Sequence, residues 1–350
     1  MTEEQSLLSR VHPGWWVLGA LLIVYPWIAT DFFTYQIGGY TLILGLIALS
    51  LMILAGYGGM VSLAQITVAG IAAYAIPIFG ENSVDVLGLG WPGWVLYPFA
   101  IFVAALFSTL VGLISVRTEG IYTIMITLAI AVSFFFFARQ NYAFFNGFQG
   151  FSGVDAPRFW GVYWRDPTPF YYLCLAASAF FFAAVAYGAN STFGLTLQAI
   201  RDNPRRMSAL GYNVIAHRVY AFFLAGIVAG TAGVLLVLFN GRVSPGTIGV
   251  DIAIDILVIA VVGGLRHPIG PFVGALAFVL LENFAIDLID RERFNTVIGL
   301  AFLLVVFFSP DGLIGLWQKA AARFQRPSLD RASPTSASET SDKLAKADNS

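Results

Sequence analysis

Residues 37–55 read IGGYTLILGLIALSLMILA, nineteen consecutive positions without one charged side chain. That length matches the roughly 20 apolar residues an α-helix needs to cross a hydrocarbon layer. The run typifies the chain. Of 350 residues, 58% are hydrophobic and 11% charged, whereas soluble domains carry about 25% charged residues. Mean hydropathy is +0.78. One water-exposed core cannot bury this much apolar surface, so lipid must act as a second solvent, which sets aside ordinary cytosolic enzymes. A net charge of -1 and a pI near 6.3 give no basic footprint for nucleic acid. Cys174 is the only cysteine, so neither an intrachain disulfide nor a thiolate metal cluster can form.

Similar runs broken by Gly, Pro or charge predict an all-α integral membrane protein, a polytopic bundle of ten helices. The runs fall at 15–29, 37–55, 60–79, 94–116, 121–138, 170–189, 219–239, 252–264, 268–288 and 294–308. The first follows Glu3, Glu4 and Arg10 and has no small-residue cleavage site after it, so it is read as an anchor and not a removed signal. With the N-terminus inside, six basic residues (Arg139, Arg158, Arg165, Arg242, Arg291 and Arg293) fall outside and the other 13 of 19 inside. This bias places both termini in the cytoplasm. The expected organisation is a cytoplasmic segment 1–14, a transmembrane domain 15–316 and a tail 317–350, disordered after about residue 327 because Pro, Ser, Thr and Ala dominate it. Span 252–264 is short and carries Asp255, which suggests a broken or re-entrant helix. Treating it as re-entrant would move Lys319, Arg323 and Arg326 outside, against the basic bias. The outer loop 139–169 spaces Gly147, Gly150 and Gly153 among aromatics, and Trp160 and Trp164 suit an interfacial belt.

The longest inner connection, 190–218, contains STFGLTLQAIRDNPRRMSALGYNVIAHR at 191–218. Asn203 can cap a helix, Pro204 fits its first position and Gly211 the left-handed position after its last turn. The result is a helix of about two turns that presents Arg205 and Arg206 beside Met207, Ala209 and Leu210, too short to stand alone. It is either an ordinary basic inner loop or a docking helix held by a partner. The third run is the most polar: Gly58, Gly59, Ser62, Gln65, Thr67 and Gly70. These residues, with Tyr122, Thr123 and Thr127 of the fifth run, serve either close helix packing or a watery pathway. Gly263-Gly264 leading to Gly274 weakly echoes Gly58-Gly59 leading to Gly70, and a true repeat would put the pathway between the third and ninth spans. Glu282, with Asn283 beside it, and Asp255 are proton-site candidates or interfacial carboxylates. His12, His217 and His267 lack metal-ligand spacing, and no Gly-x-x-x-x-Gly-Lys phosphate loop occurs, so any ATP chemistry must come from a partner.

Several motifs in order resemble the permease subunits of branched-chain amino-acid ABC transporters of the LivM type. They are 54–65 followed by 70–74, 117–122 with 127–129, the loop motifs 199–203 and 209–214, 243–247, 262–265 with Gly270-Pro271 and Gly274-Ala275, and 309–315. Together they run from about residue 37 to 316. The resemblance implies an importer in an inner membrane, built from two homologous permease subunits, two ATP-binding subunits that hold ATP and Mg, and a periplasmic binding protein. This chain would bind no cofactor and would contact only protein partners and membrane lipid. Arg201, Asp202, Asn203, Pro204, Arg205, Arg206 and Gly211 would form the element that docks the ATPase. The sequence departs from the family where a Glu-Ala-Ala triplet is common and Arg205, Arg206 and Met207 stand instead. Gln65 also replaces a common His, and Arg266-His267-Pro268 a Gly- and Ser-rich turn. Branched-chain or other hydrophobic amino acids are the implied cargo, with urea or amides as an alternative. The competing class is a secondary carrier driven by an ion gradient through Glu282 or Asp255.

Overall fold

Hydrocarbon offers no partner to backbone N–H and C=O groups, so apolar runs must close their hydrogen bonds internally as helices. The structure, a computed structural model, describes residues 13–81, 88–118, 120–154, 158–159, 162–288, 299–300, 312–313 and 315. Its helices are α1 (Pro13–Ile28), α2 (Phe33–Tyr57), α3 (Gln65–Phe79), α4 (Gly93–Ser115), α5 (Ile121–Gln140), α6 (Tyr142–Phe145), α7 (Pro167–Ala189), α8 (Thr192–Asp202), α9 (Pro204–Ala209), α10 (Val214–Asn240), α11 (Val250–Gly263) and α12 (Gly270–Leu288). Nine of the ten expected spans coincide with helices. The tenth, 294–308, the N-terminal segment 1–12 and the tail lie outside the described residues, apart from a helical pair at 299–300. Among the described residues six helical stretches are both long and apolar enough to cross a membrane, and the chain is a multi-pass membrane protein.

α2 and α10 form the middle of the bundle and are buried nearly all round, whereas α5 and α7 bury only a strip. Apolar side chains on the outer faces need no protein cover in lipid, so packing there is decided by shape and small residues. Gly226, Gly230 and Gly233 line one face of α10. A Cβ on Gly226 would meet Ser108 Cβ at 2.5 Å, one on Gly230 would meet Ala104 Cβ at 2.9 Å, and one on Gly233 would strike the Ala69 carbonyl of α3. The backbones of α3, α4 and α10 therefore touch. Ser108 of α4 seals this contact by donating to the Phe222 carbonyl at 2.7 Å.

α3 has 15 residues and α11 has 14, about 22 Å each, short of the roughly 30 Å hydrocarbon thickness. Each follows a segment outside the α-helices. Residues 58–64 lead into α3, and 241–249 lead into α11 through strand β4 (Arg242–Val243) and the 3-10 turn Pro245–Ile248. Ile248 sits where a Cβ on Gly70 would be, so the second segment reaches the middle of α3. The connection between α6 and α7 holds it there. Strand β1 (Phe151–Ser152) pairs antiparallel with β4, and Val154 N–H donates to the Gly241 carbonyl at 3.1 Å. The same loop continues through the strand pair β2 (Arg158–Phe159) and β3 (Val162–Tyr163). Phe151 is buried against Tyr74 with ring centroids 6.4 Å apart, so this part of the aromatic loop folds onto the bundle.

Gly233→Leu should destabilise the bundle by about 3 kcal/mol or more, because backbone, and not a movable side chain, occupies the space. Thermal unfolding of the purified protein measures it, and a melting temperature equal to wild type would refute the close approach.

Candidate functional site

Two regions collect the polar and glycine motifs. The first is the loop end of the bundle. Ser191 caps α8 by accepting from Gly194 N–H at 3.2 Å, and Leu197 and Ile200 bury its inner face. Asn203 ends α8 and caps α9, its Oδ1 accepting from Arg206 N–H at 3.0 Å, with Pro204 in the first turn. Gly211 has φ +90° and donates to the Ser208 carbonyl at 3.0 Å, closing α9. Asn213 then caps α10 by accepting from Ala216 N–H at 3.0 Å. Three caps in a row give the connection one shape. Met207 is buried beneath α9, while Arg205, Arg206, Leu210 and Tyr212 are exposed.

Arg201 links this loop to α2. Its guanidinium donates to the Gly56 carbonyl and pairs with Asp202 at 2.9 Å. Gly59, at φ +68°, leaves room for the stem: a Cβ there would lie 2.6 Å from Arg201 Cγ. The contact continues inward through backbone. Gly56 abuts the Leu265 carbonyl, Gly263 packs on Gly270 and Gly274, and a Cβ on Gly312 would lie 2.6 Å from Gly264 Cα. Segments more than 200 residues apart thus meet in one glycine junction. Gly58 packs against the Leu54 carbonyl, 2.7 Å from where its Cβ would be. Gly58, Gly59, Gly263 and Gly264 all serve close packing here.

The turn between α11 and α12 contains His267, whose Nδ1 accepts from Ile269 N–H at 3.4 Å. Burial holds this imidazole below the usual value of 6.5. The folded state therefore prefers the neutral ring, and stability present above about pH 6.5 should be lost as pH falls below it. Melting temperature against pH should flatten in His267→Gln, and an identical acid slope in both proteins would contradict the assignment.

The second region is the buried entrance to α3. Ser62, Gln65 and Thr67 are each 1% exposed or less. Ser50 Oγ donates toward the Ile47 carbonyl at 2.6 Å and Gln65 Oε1 at 3.1 Å. Leu63 N–H donates to Thr127 Oγ1 of α5 at 3.2 Å, and Ala64 N–H to Ser62 Oγ at 3.4 Å. Thr127 Oγ1 in turn donates to the Thr123 carbonyl at 3.0 Å. Side chains thus replace the helical bonds that 58–64 lacks. Tyr122 is 66% exposed and stands apart from this cluster, on the other face of α5. Ser50 was not singled out from the sequence, although it is a lone hydroxyl between apolar neighbours in a helix buried all round. At the opposite end of the bundle, Tyr40, Asp255 and Glu282 from α2, α11 and α12 lie within electrostatic reach of one another.

A family model described as the permease component of branched-chain amino acid transport systems matches residues 34–307. The chain is 31% identical over 141 residues to the probable branched-chain amino acid transport permease LivH of Methanocaldococcus jannaschii, covering 37% of this chain and 43% of that protein. It is 22% identical over 304 residues to the high-affinity permease LivM of Escherichia coli K12, covering 80% of this chain and 70% of that protein. To the probable LivM of M. jannaschii it is 23% identical over 236 residues, covering 61% and 67%. The chain thus spans less than half the length of the LivH relative and more of the two LivM relatives. No solved structure matches it. A polytopic helical bundle matched over residues 34–307 belongs to the branched-chain amino acid transport permease family.

Proposed function

We propose that this chain is a transmembrane permease subunit of an ATP-driven importer for branched-chain or other hydrophobic amino acids. Both termini and α9 face the cytoplasm of a cell whose inner membrane holds the bundle. A second homologous permease completes the pathway, two ATP-binding subunits hold ATP and Mg, and a periplasmic binding protein delivers cargo. The observation that carries this reading is Arg201 bridging the α8–α9 connection to the Gly56 carbonyl at the end of α2. A partner pushing on exposed Arg205, Arg206 and Leu210 would move a preshaped, triple-capped lever whose inner arm ends on the helix that leads into the α3 entrance. Arg205 stands where the family pattern carries a Glu and Arg206 where it carries an Ala, so the partner groove needs acidic or carbonyl acceptors above an apolar floor.

A second reading rests on the Tyr40, Asp255 and Glu282 group. Glu282 Oε2 is buried with no hydrogen-bond partner among the described residues, as a proton-coupled carrier would need. It predicts uptake by this chain alone in liposomes, collapsed by an uncoupler.

For the importer, Arg205→Ala, Arg206→Ala and Gly211→Ala combined should lower substrate uptake about tenfold or more while leaving membrane insertion intact; losing two charge-assisted contacts is enough for that. Uptake by reconstituted proteoliposomes measures this, and unchanged uptake would sink the docking assignment. Arg201→Gln leaves the exposed face of α9 in place, so its ATPase subunits should still bind and hydrolyse ATP while amino acid moved per ATP falls severalfold. An unchanged ratio of transport to hydrolysis would remove Arg201 from the coupling path.

A further inference from the structure

The first turn of α3 is an unfilled hydrogen-bonding site. No side chain caps the helix, and its first internal bond is Val68 N–H to the Ala64 carbonyl at 2.9 Å. Leu63 and Ala64 N–H are satisfied by Thr127 and Ser62, whereas the N–H groups of Gln65, Ile66 and Thr67 have no close acceptor among the described residues beyond the loose turn at 63–64. A buried helix end left in this state is uncommon. Two side chains of the same turn are also unsatisfied. Gln65 Nε2 and Thr67 Oγ1 are buried without a partner, in residues 1% and 0% exposed. Thr67 joins Thr34 and Thr41 as a buried helical threonine whose hydroxyl has no partner among the described residues. Thr109, Thr127, Thr196 and Thr231 each bond the carbonyl four residues earlier at 2.7 to 3.0 Å. Thr67 does not, because its predecessor Leu63 lies in the unwound segment. Gln65 Oε1 lies 3.1 Å from Ser50 Oγ, whose proton is directed at the Ile47 carbonyl at 2.6 Å.

The unmet groups are therefore backbone N–H donors, an amide NH₂ and a hydroxyl, at the positive end of a 15-residue helix. Acceptors with negative charge fit such a set and cations do not. Thr67 shares a face with Gly70, and Ile248 of the turn before α11 fills the space over Gly70. That face looks into the region where both segments outside the α-helices and Thr127 of α5 meet, the arrangement found at midplane binding sites between broken helices.

We infer that the first turn of α3, through Gln65, Thr67 and the N–H groups of 65–67, binds the carboxylate of the transported amino acid on its way through the membrane. The inference rests on the importer reading and names the group on the substrate that this site recognises. In the conformation described the turn is closed. Substrate reaches it when 58–64 shifts off Thr127, the segment that Arg201 adjoins through Gly56 and Gly59.

The test uses the full importer, permeases with ATPase subunits in nanodiscs, without binding protein. Displacement of radiolabelled leucine is measured with 4-methylpentanoate, which keeps the carboxylate and lacks the amine, and with leucinamide, which does the reverse. The carboxylate compound should compete at least about tenfold better, as expected for a lost charge-assisted hydrogen bond. Thr67→Val should weaken leucine binding about tenfold and Thr67→Ser restore it, while Thr231→Val, which removes a hydroxyl already bonded within α10, should bind as wild type. The competitor arm needs no variant and so stands even where Thr67→Val fails to fold. Leucinamide competing as well as 4-methylpentanoate overturns the proposal. So does wild-type leucine affinity in Thr67→Val, or displacement of leucine by chloride alone, which would assign the turn to an inorganic anion. Normal leucine uptake with any of these results removes the site and leaves the importer standing; no leucine uptake by the importer with its binding protein removes both.

Discussion

Inside a bilayer every backbone hydrogen bond must be made within the protein, and the organisation of this chain follows from where it breaks that rule. Most spans obey it as continuous helices. Among the described residues two do not: 58–64 and 241–249 run outside the α-helices before α3 and α11, the second helical only in the 3-10 turn Pro245–Ile248. Such segments survive only when buried in protein and supplied with substitute partners. Thr127 and Ser62 supply the first, and the β1–β4 pairing supplies the second. Supply stops short at the first turn of α3, where donors remain unmet. The polarity of the third span is thus a consequence of chain geometry, since hydroxyls and an amide stand in for absent carbonyls.

Glycine makes the loop end of the bundle stiff. Where Gly56 meets Leu265, and Gly263 meets Gly270 and Gly274, the contacts are backbone on backbone. Side chains absorb small displacements by changing rotamer, whereas main chains in direct contact pass them on. Arg201 joins the capped loop to this junction with a charge-assisted hydrogen bond. On the importer reading proposed above, a push on α9 would reach the end of α2, one short segment away from the α3 entrance. On this account the Arg205-Arg206 pair and Gln65-Thr67 are the two ends of one mechanical path.

The spans were legible because hydropathy averages over about 20 residues and lipid-facing helices need little else. The loop helix was legible because capping is local: Asn203, Pro204 and Gly211 sit within nine residues and act on their own neighbours. What escaped depends on contacts distant in sequence. An apolar run from 60 to 79 does not reveal that its first turn is unwound, since the reason is the hydroxyl of Thr127 more than 60 residues later. The pairing of Arg201 with Gly56, 145 residues away, leaves no local pattern. Tyr122 and Thr127 have the same sequence-level description, and only the rotation of α5 separates the exposed ring from the buried hydroxyl. The glycines at 263 and 264 looked like pathway residues because small residues mark both cavities and close packing; here carbonyls occupy the space.

The central claim is that movement of the loop reaches the α3 entrance through Arg201. Cys174 is the only cysteine, so Cys174→Ser with Ser62→Cys gives a single reporter thiol at that entrance. The direct measurement is the rate at which a small thiol reagent labels it in the assembled importer, with and without a non-hydrolysable ATP analogue. The account predicts a nucleotide-dependent change in rate that disappears when Arg201→Gln is added while nucleotide still binds. The same change with and without Arg201 would contradict it.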